Sequence, residues 1–423
     1  MYQIEAWAGL RKARRDAKGT TSWSSVHRNV WALGFTSFFT DVSSEMVSTV
    51  LPIYLVLYLG LTPFHYGLVD GLQHGGTALL RLFGGVAVDR TRRCKELAIA
   101  GYSVSAFSRL GLLAAGASWP LVATVVAVDR AAKGLRTVPR DVLISLSSGS
   151  SALATSFGVH RALDSAGAML GPLVALGILA ALPEAFDVVF VSSFSVAVCG
   201  MGVIWLFVRN VDPAVLTGAV SPPIPAGLRS VLHDTGLSRV MVAATLLSAA
   251  TVSDAFLYLV LQREVGFNAG LFPLLYVGTA GSYLLCAVPA GRLADRIGRR
   301  TAFLGGYLFL AAAYVVAMQS EPGVGAVALC LLLLGGHYAL TDGVLMALTS
   351  GLLPPARRGT GFAVVTTATS VTRVVASVGF GALWTQLGAR VALAWFLTGL
   401  LVAIVITRLV VRPGVERGTD TRG

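Results

Sequence analysis

Apolar segments long enough to cross a lipid bilayer recur along almost the whole chain, and this excludes most folds. A helix needs about 20 mainly apolar residues to span the hydrocarbon core. Such segments are expected near 29–58, 64–88, 96–117, 119–141, 153–182, 187–208, 238–261, 270–292, 301–319, 323–348, 358–384 and 390–411. Backbone groups in hydrocarbon must be satisfied within the segment, so each run reads as a helix. Composition agrees. Of 423 residues, 55% are hydrophobic and 13% charged, about half the charged share of a soluble domain. So little charge cannot cover a soluble fold of this size. The expectation is an all-α polytopic membrane protein with twelve transmembrane helices. A soluble enzyme, a disordered chain and a disulfide scaffold are excluded.

Orientation follows from Lys and Arg in the loops. The segment before the first span carries Arg11, Lys12, Arg14, Arg15, Lys18 and Arg28, and loop 2–3 carries Arg90, Arg92, Arg93 and Lys95. Arg296, Arg299 and Arg300 occupy loop 8–9, and Arg357 and Arg358 loop 10–11. The alternate loops are nearly bare, so both termini are expected to be cytoplasmic. This accounts for the net charge of +12 without a nucleic-acid partner. The leader has no short apolar core with a cleavage site and does not read as a signal peptide. The chain divides into a basic leader at 1–28, a first six-helix half at 29–208, a Pro-rich cytoplasmic linker at 209–237, a second half at 238–411 and a cytoplasmic tail at 412–423. The four cysteines, Cys94, Cys199, Cys286 and Cys330, have no metal-binding or redox spacing. No metal or cofactor is expected.

The halves repeat. Tyr54-Leu55-Val56-Leu57 recurs as Tyr258-Leu259-Val260-Leu261, Gly85-x-x-x-Asp89-Arg90 as Gly291-x-x-x-Asp295-Arg296, and Val142-Leu143 through Gly149 as Val344-Leu345 through Gly351, at offsets of 204, 206 and 202. Three collinear matches argue for duplication of a six-helix unit. Because six is even, the copies share an orientation across the membrane.

These residues resemble the major facilitator superfamily. The segment Gly291-x-x-x-Asp295-Arg296-x-Gly298-Arg299-Arg300 matches that family's loop signature, and Gly85-x-x-x-Asp89-Arg90-x-x-Arg93 is its copy, with Arg92 in place of the second glycine. Arg130-x-x-Lys133-Gly134 is similar to the family's pattern in span 4. Gly167-x-x-x-Gly171-Pro172 matches part of the antiporter motif of span 5, with His160 where that motif has an upstream glycine. Phe39-Thr40-Asp41-Val42-Ser43-Ser44-Glu45-Met46 looks like a branch of prokaryotic permeases. The resemblance covers 29–411. It implies two six-helix bundles, alternating access around a midplane site, a small-molecule substrate, monomeric function and multi-pass residence in the inner (plasma) membrane.

Two groups of residues carry the functional expectation. The first is the loop pair. Asp89 and Asp295 can accept bonds from a neighbouring helix N-terminus, and Arg90, Arg93, Arg296, Arg299 and Arg300 can pair with them or with anionic lipid. Such contacts can latch one conformation, while positive-inside topology explains the arginines alone.

The second is the set of charges within apolar segments, where each costs about 2.5–3.5 kcal/mol on insertion scales. Asp41 and Glu45 are one helical turn apart on one face. Asp41 is about 12 residues, or about 18 Å, from the cytoplasmic end. Such a pair can hold and release a proton, or simply bond to basic residues of other helices. Arg130 and Lys133 can bind an anionic group or neutralise those acids, whereas Arg136 and Arg140 read as snorkelling toward the surface. His160 and Asp164 share a stripe with Gly167 and Gly171, either as a proton relay or as a structural pair. Arg373 and Asp254 are further substrate-binding candidates, with thinner signals at Asp70, His74, Arg109, His337 and Asp342. No Walker, His-Glu-x-x-His or Gly-x-Ser-x-Gly segment is present, and the chain does not read as an enzyme. The sequence reading is a proton-coupled exporter (antiporter) of a small organic molecule. The alternatives are a proton symporter taking up a small anionic metabolite and a non-transporting sensor on the same fold.

Overall fold

The computed structural model describes residues 26–75, 93–116, 118–148, 153–210, 235–319, 323–352 and 358–410. Among them, regular structure is helical throughout. The helices are α1 (Arg28–Ile53), α2 (63–75), α3 (Cys94–Ala115), α4 (Trp119–Ser147), α5 (Leu153–Ala181), α6 (Phe186–Phe207), α7 (Thr235–Ala249), α8 (Asp254–Val265), α9 (Pro273–Ile297), α10 (Arg299–Ala317), α11 (Val324–Leu352), α12 (Arg358–Leu387) and α13 (Ala389–Val410). Nine helical stretches among the described residues are long and apolar enough to cross a membrane. They do not include α1 and α4, which carry the intramembrane charges, or α2.

The helices gather into two compact units. One contains α1 and α3–α6, and the other contains Leu55–Gly75 with α7–α13. Chain order alone had grouped 55–75 with the first six spans.

In the first unit, α1 lies against α5 and α6, and α3 lies against α4 and α6. Val30, Leu33, Ala98, Tyr102, Leu143, Ile144 and Ile204 form a shared apolar core at one end. A polar staple closes that end. The Asn29 amide donates to Ser147 Oγ and to the Arg209 carbonyl, both at 3.0 Å, and its oxygen accepts from the Arg209 N–H at 3.0 Å. Near its other end α1 contains Pro52. Proline has no N–H to donate back along the helix, and the chain continues as a π-helical turn over Tyr54–Tyr58.

The span expected at 238–261 is present in the second unit as the stretch Thr235–Val265, with an interruption inside it. The expected single helix at 238–261 is broken after α7 and restarts at α8. The Tyr314 hydroxyl enters the break. It accepts from the Val252 N–H at 2.7 Å and donates to the Ala250 carbonyl at 3.1 Å. Interrupted helices are tolerated at membrane depth only where freed backbone groups find such partners.

Candidate functional site

In the first unit, Asp129 of α4 is the hub. Its carboxylate accepts from Arg109 Nη1 at 3.0 Å and Arg130 Nη2 at 2.9 Å, and from the Ser105 and Ser108 hydroxyls at 2.5 and 3.3 Å. Arg109 also donates to Ser44 Oγ of α1 at 3.0 Å. Asp129 and Arg109 are 4% and 3% exposed. A buried ion pair survives desolvation only when further hydrogen bonds support it, and the three serines supply several, although Arg109 Nε has no hydrogen-bond partner. Arg109 gave a thin signal in the sequence because its partner lies on another helix. The expectation for Arg130 changes too. It pairs with its own chain neighbour rather than with Asp41 or Glu45, although its Nε has no hydrogen-bond partner.

Beside this hub lies an acid–base cluster. Asp41 of α1 and Asp164 of α5 approach within side-chain hydrogen-bonding reach of one another. Lys133 of α4 is within electrostatic reach of Asp41 and Glu45 and forms no ion pair within 4 Å with either. Asp41, Glu45 and Lys133 are all partly accessible. The close approach of α1 and α5 depends on the small residues of α5. A Cβ on Gly171 would sit 2.7 Å from the Val42 carbonyl and 2.7 Å from Glu45 Cβ, and one on Gly167 would run into the Phe38 carbonyl. These two glycines therefore bring the Asp164 backbone up to the Asp41 turn. Pro172, the next residue of the motif, lies inside the same helix.

Two sequence expectations are overturned around this cluster. First, His160 and Asp164 share a stripe but do not form a relay pair. The His160 ring places Nε2 3.0 Å from Ser37 Oγ. Asp164 is taken by Arg161 at 3.3 Å and Arg140 at 3.8 Å, and no hydrogen bond joins it to His160 among the described residues. The Ser37 hydroxyl also accepts from Arg140 Nη1 at 3.2 Å and lies 3.5 Å from the Tyr102 hydroxyl. Second, Arg136 and Arg140 do not snorkel. Arg136 is 3% exposed and stacks on Tyr102, 4.7 Å from the ring centroid. Arg140 also donates to Asp141 at 2.9 Å. Partners inside the unit make burial cheaper than reaching for the surface.

In the second unit, Asp254 occupies the first turn of α8, directly after the helix break. Its carboxylate accepts from the Tyr338 hydroxyl of α11 at 2.8 Å. A carboxylate at a helix N-terminus is favoured by the exposed amides there. Arg373 of α12 faces Asp254, Asp342, Tyr307 and Tyr338. The adjacent His337 is turned away, with Nδ1 2.9 Å from the Gly306 carbonyl oxygen. Tyr258, fully buried, donates to Thr279 at 2.6 Å and is part of the core. Asp70 of α2 accepts from the Ser377 hydroxyl of α12 and, at 3.3 Å, from Tyr66.

Of the expected loop latches, Gly85, Asp89 and Arg90 lie outside the described residues, and Arg93 stands immediately before α3. The second copy connects α9 and α10. Gly298 has φ +91°, a conformation that side chains rarely adopt, so this turn requires its glycine. Gly291, Asp295, Arg296 and Arg299 are exposed. Asp295 makes no ion pair among the described residues, and Arg300 Nη2 donates to the Arg408 carbonyl at the end of α13. At the C-terminal end of α9 the helix dipole disfavours a carboxylate, and Asp295 stays in solvent.

With this geometry in place, comparisons with known proteins agree on one family. The Major Facilitator Superfamily profile matches residues 33–282 and 241–423. An uncharacterized MFS-type transporter of Methanocaldococcus jannaschii is 30% identical over 372 residues, covering 85% of this chain and 89% of that protein. An uncharacterized protein of Mycobacterium tuberculosis is 27% identical over 347 residues, covering 80% and 82%. Among solved structures, the nucleoside transporter NupG superposes with a TM-score of 0.75 at 11% identity, covering 90% of this chain and 98% of that one. A bacterial homologue of the human lysosomal transporter Spinster superposes with a TM-score of 0.71 at 15% identity, covering 92% and 98%. At such identities the two structures speak to the fold.

Proposed function

The chain belongs to the major facilitator superfamily, and we propose that it is a proton-coupled secondary transporter that exports a small organic molecule by alternating access. It is a multi-pass membrane protein of a transporter family, not an enzyme. The observation that carries the coupling is the Asp41–Asp164 approach in the first unit. Two carboxyl groups this close disfavour joint ionisation, so the pair can hold a proton in one state and release it in another. Lys133, within electrostatic reach of Asp41 and Glu45, can take the place of that proton when it leaves. Arg140 and Arg161 hold Asp164 in position. A site that exchanges a proton for an internal ammonium can couple its charge state to conformation.

Substrate binding is assigned, on this reading, to Arg373 and Asp254 within the second unit, and Arg130 and Lys133 are separate candidates within the first. Twelve spans with both termini cytoplasmic, protons as the coupling ion and function as a monomer in the inner membrane complete the reading. Export is favoured over uptake by the partial antiporter segment Gly167-x-x-x-Gly171-Pro172, with a symporter taking up a small anionic metabolite as the alternative.

The test is transport by the full chain in proteoliposomes, using a ligand identified by thermal-shift screening. An imposed pH gradient is expected to drive accumulation in the wild type. Asp164→Asn is expected to abolish this drive while leaving ligand exchange at equal pH intact. Gradient-independent transport by the wild type would reject proton coupling.

A further inference from the structure

Two opposite charges in the second unit are committed to nothing. Arg373 Nε is buried without a hydrogen-bond partner, and the guanidinium makes no ion pair within 4 Å among the described residues. A guanidinium has five donors and no acceptor, and leaving one unpaired inside a membrane protein is costly. Its nearest acids do not quench it. Asp254 is engaged by Tyr338 at 2.8 Å. Asp342, one turn beyond Tyr338 on α11, is exposed and has no bonded partner among the described residues. Arg and Asp side chains meant only for each other would close to contact. These stand apart, with Tyr307 of α10 and Tyr338 beside the arginine and Tyr283 of α9 beside the aspartate. Other polar groups nearby are spent: His337 lies against the Gly306 carbonyl at 2.9 Å and Tyr258 donates to Thr279 at 2.6 Å.

We propose that Arg373 and Asp342 form a subsite for a small zwitterion, whose carboxylate meets Arg373 and whose ammonium meets Asp342. The assignment rests on the transporter reading and gives it a substrate class. Charge balance decides between ligand classes. A planar guanidinium takes a carboxylate through two parallel bonds. An anion bound there alone leaves Asp342 uncompensated, and a cation bound at Asp342 leaves Arg373 so. Leaving the buried side of the guanidinium unpartnered is unfavourable, and a ligand ammonium adds a second contact at the exposed Asp342. A zwitterion compensates both and adds no net charge. The tyrosine rings would contact the ligand's apolar body and favour its ammonium group.

The test is thermal shift on the purified full chain with matched triplets: free α-, β- and γ-amino acids, their N-acetyl derivatives and their methyl esters. At least one free amino acid is expected to stabilise the protein. Its N-acetyl and ester partners should bind about 10- to 100-fold more weakly, the cost of losing one charged hydrogen-bonded contact. Arg373→Gln should abolish the shift, and Arg373→Lys should retain a weakened one, which separates lost binding from lost folding. Asp342→Asn should remove the preference for the free amine. Stabilisation by the acetyl or ester forms alone, by no member of any triplet, or equally in Arg373→Gln would overturn the proposal. The transporter reading fails separately. Gradient-driven transport of some other solute would leave that reading standing while this subsite fell, and zwitterion binding without any transport would do the reverse.

Discussion

At Asp129, two arginines and two serines converge on one buried carboxylate, and Arg109 carries the connection on to Ser44. Removing one member of such a network leaves a buried charge uncompensated, at about 3–5 kcal/mol. Arg109→Gln is therefore expected to lower the unfolding midpoint sharply, read by thermal unfolding in detergent. Arg161→Gln, on an arginine that is 57% exposed, should shift it by less than about 1 kcal/mol. A midpoint unchanged in Arg109→Gln would mean that the network stabilises nothing. The sequence displayed nearly all of these charges, because ionisable residues stand out against apolar runs. It did not display their pairing. Helical spacing brings His160 and Asp164 onto one stripe, yet Arg161 on the same helix and Arg140 from another take the aspartate and Ser37 takes the histidine. Which partner wins is decided by residues far away in sequence, so stripes identify candidates and packing assigns them.

At the scale of elements, small residues and one inserted tyrosine set the helix geometry. Gly171→Val should separate α5 from α1 and cost about 1–3 kcal/mol by overpacking, because its Cβ would meet the Val42 carbonyl at 2.7 Å. Gly177→Ala, on the same helix with nothing within 4 Å of the added carbon, should stay within about 0.5 kcal/mol. Equal effects in the two variants would reject the packing role of the motif. Tyr314→Phe leaves the Val252 N–H and Ala250 carbonyl of the helix break without their partner. It is expected to cost about 1–3 kcal/mol and to raise hydrogen exchange at 250–253. Most helices were legible from apolar runs and matched within a few residues. The break between α7 and α8 was not, because Ala250-Thr251-Val252 continues an apolar run and the residue that stabilises the interruption lies on α10. The cluster Thr251-Val252-Ser253-Asp254 is the local signal that could have shown it, since Ser and Asp favour helix starts.

For the whole molecule, the repeat and the loop arginines gave the family before any coordinates, and the Gly291–Arg300 segment is specific enough to carry it. They could not show that 55–75 packs with the second half. There Gly67 faces the Ser377 carbonyl, 2.6 Å from where a Cβ would be, and Gly71 faces Val374. The glycine spacing of α2 was readable, but its partner helix was not. The central claim is that a proton shared by Asp41 and Asp164 drives transport. The most direct measurement is pH-gradient-driven accumulation of a bound ligand in proteoliposomes, compared between the wild type and Asp41→Asn. The account predicts that Asp41→Asn still exchanges ligand at equal pH but loses accumulation against a concentration gradient. Full accumulation by Asp41→Asn, with unchanged pH dependence, would contradict it.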